Sequence, residues 1–115
     1  MKTLHLVLIG KWYDMISSGE KTEEYRALTP YWCNRLVHRY GIDYWKSVFK
    51  HNSENMMINK HISYGVGYYD AVCFHRGYTN TTMSFEYEAL DIDKGKQEWG
   101  APKEPVFIIK LGKRL

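Results

Sequence analysis

The sequence predicts an α+β fold of five strands with two or three short helices, and three observations predict it. Period-two apolar segments occur near the N-terminus, in the second half of the chain and close to the C-terminus, separated by Gly, Pro and Asn turns. Short stretches of helical apolar spacing lie between them, with their own start and stop signals. The chain has 115 residues, enough to bury one core and too few for two, so a single domain is expected over 1–115.

Leu4, Leu6 and Leu8 alternate with His5, Val7 and Ile9 as far as Gly10. Apolar residues on both sides of the alternation read as a strand covered on both faces. Over 11–18, Trp12, Met15 and Ile16 stand at helical spacing, and Gly19 follows where a left-handed cap is needed. The period returns to two from Thr22, with Glu24 and Arg26 on its side of a second strand; Glu23 and Tyr25 are expected to face away. Thr29-Pro30 joins a capping hydroxyl to a proline whose missing N–H is harmless in a first turn, which starts a helix over 30–39. Trp45, Val48 and Phe49 suggest a further short helix over 43–50. From His51 to Gly67 there is no clean period, so the region around 40–67 is expected to be a loop or an insertion.

Tyr69 to His75 is β-prone, with Val72 and Phe74 on one face, and Arg76 continues that face toward the mouth of a core. Gly77 to Asn80 supplies a turn. Thr81 to Leu90 then places Met83, Phe85, Tyr87 and Ala89 opposite Ser84, Glu86 and Glu88, which completes an antiparallel hairpin. Residues 91–105 read as a loop anchored by Trp99, and Val106 to Leu111 as a fully buried strand.

Apolar residues make up 44% and charged residues 25%, ordinary globular usage that excludes disorder, collagen and coiled coil. Aromatic content is 16%, with ten Tyr and four Trp, rings suited to half-buried positions or to stacking on a ligand. A net charge of +3 permits an anionic partner without demanding one. Cys33 and Cys73 show no Cys-x-x-Cys or Cys/His ligand spacing, and His38, His51 and His61 are scattered. No disulfide framework, metal or other cofactor is therefore expected, and both thiols are expected to be reduced and buried. The apolar run at the N-terminus is too short for a signal peptide core or a membrane span, so a cytoplasmic location without a membrane partner is expected.

The stretch richest in chemistry is GEKTEEYR, Gly19 to Arg26. Glu24 and Arg26 leave the same face of a strand, and Lys21 in the preceding turn is free to curl over them. Arg26 offers a planar fork for a phosphate, a carboxylate or a base edge, and Lys21 a mobile point charge. A carboxylate beside Lys21 favours the charged ammonium, hence electrostatic anchoring over proton abstraction. The competing reading is a solvated strand face with a weak Glu24–Arg26 ion pair. Tyr31 and Trp32 read either as helix packing or as stacking surfaces; Arg76 and Tyr78 read either as a salt bridge and a turn residue or as ligand contacts.

Gly19, Lys21, Glu24 and Arg26 fit the pattern Gly-x-Lys-x-x-Glu-x-Arg, and here the chain resembles the ASCH domain family of the PUA-like superfamily. SSGEKT, TPYW, YDAVCFHRGY, EWGAP and FIIKLG agree in order, so the resemblance runs from about Leu4 to Gly112. It implies a small PUA-like mixed β-barrel of about five or six strands with two or three short helices. It also implies binding of RNA, or of a nucleoside or nucleotide, in a cleft where Lys21, Glu24 and Arg26 converge. Ligand-binding candidates are accordingly Lys21, Glu24, Arg26, Tyr31, Trp32, Arg76 and Tyr78. The alternative is a hydrolase acting on a modified nucleoside or on RNA, with Lys21, Glu24 and Glu86 as catalytic candidates; Glu86 resembles the family's downstream acidic position. The family's amidohydrolase branch carries a threonine nucleophile where this chain has Glu24, which shifts the expectation from catalyst to binder. No oligomeric state is implied.

Overall fold

In the computed structural model, residues 1–37 and 69–115 are described. The helix expected over 43–50, the insertion around 40–67, and His38, His51 and His61 lie outside them. The described elements are β1 (Thr3–Leu8), α1 (Gly10–Ser17), β2 (Glu23–Arg26), α2 (Pro30–Leu36), β3 (Ala71–Arg76), β4 (Thr82–Asp93) and β5 (Val106–Arg114). A single 3-10 turn, Gln97–Trp99, precedes β5.

The strands form one mixed sheet in the order β1-β3-β4-β5-β2. β1 and β3 run parallel, with His5 opposite Cys73 and Val7 opposite His75. The other pairs are antiparallel, including the expected β3–β4 hairpin. The sheet curls into a half-barrel, and β1 and β2 are its two edges. Its concave side holds the main core, built from Leu4, Leu6, Leu8, Phe74, Leu90, Ile92, Phe107 and Ile109, among others. A smaller cluster of Tyr25, Ala101, Val106 and Ile108 lies on the convex side of β2 and β5.

One expectation is corrected by how these layers are covered. β1 is buried on one face only: Leu4, Leu6 and Leu8 point inward, while Val7 is 47% exposed. On β2, Glu23 and Tyr25 face away from Glu24 and Arg26 as expected, and the small convex cluster covers that face too, so the whole strand is buried but for Arg26. β4 also runs to Asp93, past its expected end. Register shifts around Tyr87 move the inward set from Met83 and Tyr87 to Leu90 and Ile92, one residue out of phase. The end of β5 emerges from the core, so that strand is fully buried only through Ile109. α1 packs on β1 and β3 through Tyr13 and Ile16. α2 starts at the expected cap, with the Thr29 hydroxyl accepting from the Trp32 N–H, and it ends at Leu36, before Arg39.

Candidate functional site

The end of α1 places Lys21. Gly19 takes a φ of 87°, its N–H donates to the Ile16 carbonyl at 3.1 Å, and the Lys21 N–H donates to the Met15 carbonyl at 3.0 Å. This left-handed turn, open to glycine at little steric cost, sends the Lys21 side chain inward, where the residue is only 2% exposed. Its Nζ donates to Glu24 Oε1 and to the Trp99 carbonyl, each at 2.7 Å. It also lies 4.9 Å from the centre of the Trp12 ring and 5.2 Å from that of Tyr25.

Glu24 bridges this ammonium to a second cation. Its Oε2 accepts from Arg26 Nη1 at 2.7 Å, and the same nitrogen donates to the Tyr25 carbonyl at 2.9 Å. Arg26 Nη2 reaches the Val7 carbonyl on β1 at 3.4 Å. Glu24 and Arg26 pair across the sheet with Ile109 and Phe107, so both belong to the concave side. The charged triad therefore stands at the mouth of the half-barrel, in the gap where the two edge strands do not pair. Two cations and one carboxylate leave one net positive charge there.

A pocket of about 100 Å³ opens onto this triad, bordered by Trp12, Tyr25, Trp99 and Gly100. Gly100 has a φ of 98°, and a Cβ there would come 2.9 Å from the Trp12 ring. Glycine is required both by its backbone conformation and by the close approach of the indole, which keeps the Trp99 carbonyl aimed at Lys21. On the other flank, the Arg26 guanidinium lies 5.1 Å from the centre of the Trp32 ring. Arg35 stands 5.3 Å from Trp32 and 5.9 Å from Tyr31, and Tyr31 meets Trp32 edge-on at 4.9 Å. The two arginines and two rings form one alternating surface, from which Tyr31 projects into solvent.

The remaining sequence candidates lie elsewhere. Arg76 does not sit at a core mouth: its guanidinium pairs with the Asp14 carboxylate on α1 at 3.1 and 3.0 Å, on the exposed surface. That hydrogen-bonded pairing holds the Asp14 carboxyl below its ordinary range. Tyr78 is fully exposed at the β3–β4 turn, beside a shallow groove lined by His5, Val7 and His75. Glu86 lines a separate pocket with Asp70 and Glu88, and its Oε1 accepts from the Lys113 N–H at 3.0 Å. It does not border the Lys21 pocket, so the general acid or base role that required it to point into that cleft loses its geometric basis.

The convex side of β2 carries its own polar network. Tyr25 Oη donates to Glu23 Oε2 at 2.7 Å, Lys110 Nζ donates to Glu23 Oε1 at 2.7 Å, and the Lys96 N–H donates to Tyr25 Oη at 3.0 Å. Burial pushes the Tyr25 phenol well above its ordinary value, and the Glu23 carboxylate adds to the shift. The hydrogen bond to Glu23 raises Lys110. Cys33 and Cys73 are both buried free thiols, and burial pushes Cys33 up to about 11.

From the sequence Trp12 and Trp99 read as packing residues outside the site; EWGAP is the available signal for Trp99 and Gly100. The sequence also does not gather His5, Cys73 and His75, whose ligating atoms lie within 4.8 Å of one another. Cys73-x-His75 was visible as a same-face pair on a strand, but the third member depends on the parallel pairing of β1 with β3.

No family model, curated protein or solved structure matches the chain. Among the described residues, no helix is long and apolar enough to cross a membrane.

Proposed function

We propose that this chain binds RNA or a nucleotide at the Lys21–Glu24–Arg26 pocket, and that it is a PUA-like ASCH domain. The observation that carries the reading is the fixed ammonium of Lys21, buried yet bordering an open pocket and flanked by an alternating arginine–aromatic surface. A site with one net positive charge matches a single phosphodiester. The pocket, at about 100 Å³, is well below the several hundred Å³ of sites that engulf a whole small molecule. It suits one phosphate or one ring edge, with neighbouring bases stacking on Trp32, Tyr31 and the guanidinium planes. The half-barrel with short helices and the ordered motif set supports the family reading.

The hydrolase alternative draws less support. Both Glu24 oxygens are engaged by cations, and Glu86 borders a different pocket. The site is built to hold charge still rather than to move a proton.

The test is anisotropy of a labelled single-stranded RNA over a salt series, with wild type, Lys21→Met and Arg35→Ala. Affinity is expected to fall with salt by a log–log slope of about −0.7 per phosphate contacted, and Arg35→Ala should remove about one such step. Lys21→Met should weaken binding while the chain stays folded by circular dichroism. Absence of binding, or binding insensitive to both salt and the two substitutions, would overturn the proposal.

A further inference from the structure

We propose that His5, Cys73 and His75 form a zinc site on the outer face of the β1–β3 pair, independent of the Lys21 pocket. His5 stands opposite Cys73 in the parallel register, and His75 is two residues further along the same face of β3. His5 Nδ1 lies 3.0 Å from His75 Nε2, and Cys73 Sγ lies 3.8 Å from that same nitrogen. In a tetrahedral zinc site, bonds of about 2.0–2.1 Å to nitrogen and about 2.3 Å to sulfur separate ligand atoms by roughly 3.3–3.6 Å. These two spacings bracket that range, and all three atoms lie within 4.8 Å of one another, so side-chain rotations bring them onto one ion.

The ligand set narrows the metal. Two imidazoles and one thiolate are borderline-soft donors, the combination that suits zinc and disfavours magnesium or calcium. Coordination through His5 Nδ1 and His75 Nε2 leaves His5 Nε2 and His75 Nδ1 carrying their protons. Cys73 is buried, His75 is half-buried and His5 is exposed, so the cluster opens to solvent on the side of the two histidines. That side is the shallow groove bounded by Val7, Gly77, Tyr78 and Thr79. Three protein ligands and an open groove leave the fourth position to solvent or to an incoming donor, an open arrangement rather than that of a closed structural zinc site. The competing account of the same geometry is a single imidazole–imidazole hydrogen bond with a bystander thiol.

The experiment titrates the full chain with cobalt(II) as a spectroscopic stand-in, then with zinc against a chromophoric chelator. Variants are Cys73→Ser, His5→Ala and Cys33→Ala, with folding checked by circular dichroism. Expected are one metal per chain, a thiolate-to-cobalt charge-transfer band lost in Cys73→Ser and kept in Cys33→Ala, and intense tetrahedral d–d bands. Zinc affinity should fall by more than about a hundredfold in His5→Ala, since even loss of an outer partner of a ligand costs about 10–100-fold. His5 lies on the exposed face, so that variant tests the site without emptying the core. No charge-transfer band in wild type, or a band and affinity unchanged in Cys73→Ser or His5→Ala, would overturn the proposal.

Discussion

β2 carries two buried charged networks, one on each face, and they are built to different ends. On the concave side a carboxylate sits between two cations, and the three fill the gap between unpaired sheet edges beside an open pocket. On the convex side one carboxylate takes one lysine and one phenol over a small apolar cluster, and the lysine side chain is 39% exposed. Burial of charge is thus not by itself the mark of a site. Tyr25 of the convex network also borders the pocket, so what separates the faces is that the concave network keeps its lysine fully inside while the convex network lets its lysine reach water.

The largest expected consequence is in stability. Glu24→Gln removes the one carboxylate that the concave network holds among the described residues and leaves the Lys21 ammonium buried without that counter-charge, which costs about 3–5 kcal/mol. Glu23→Gln on the convex face frees Lys110 into solvent and costs about 1 kcal/mol. Urea denaturation of the two variants checks this, and equal losses would break the distinction between the faces. Next in size is Tyr31→Ala, which removes an exposed ring from the arginine–aromatic surface. RNA affinity should fall by about 1–3 kcal/mol, the usual worth of one stacked base, while the unfolding midpoint stays put. Gly100→Ala follows at about 1–2 kcal/mol of stability, since it strains a positive φ and presses on Trp12. Because it displaces the carbonyl that holds Lys21, it should also weaken RNA binding, measured on the same samples.

The difference between the faces also explains what could be read from the sequence. Lys21, Glu24 and Arg26 were legible because a strand's period of two and a turn glycine place them locally, without knowledge of the sheet. The capping signals of Gly19 and Thr29-Pro30, and the turn at Gly77, were legible for the same reason. The covering of Glu23 and Tyr25 was not, because it depends on Ala101, Val106 and Ile108, some eighty residues away in sequence. Nor was the one-sided burial of β1: Val7 and Ile9 are apolar and yet exposed, so composition pointed to a second cover that does not lie over them. The phase change in β4 was hidden because bulges leave no compositional trace in a run such as Phe85 to Leu90. Trp99 read as a loop anchor, since a contribution made by its backbone carbonyl carries no side-chain signature.

The smallest expected effect reads the convex face through pH. Tyr25 is raised, first by burial and then by Glu23, and Lys110 is raised chiefly by its hydrogen bond to Glu23. For a group whose folded value lies above its unfolded one, the native state holds its proton longer, so stability falls with pH between the two values. The contribution of both groups is therefore complete below their ordinary values of 10.0 and 10.5, and is lost as pH rises from there toward the raised ones. Tyr87, raised by its own burial, contributes a background of the same sign. Lys110 is more than a third exposed, so solvent screening leaves it the lesser share. Urea midpoints measured from about pH 8 to about pH 11 should decline for the wild type. The decline should be shallower for Tyr25→Phe and only slightly shallower for Lys110→Met. Parallel curves for all three proteins would place the alkaline sensitivity outside this network and remove the convex face's distinguishing property.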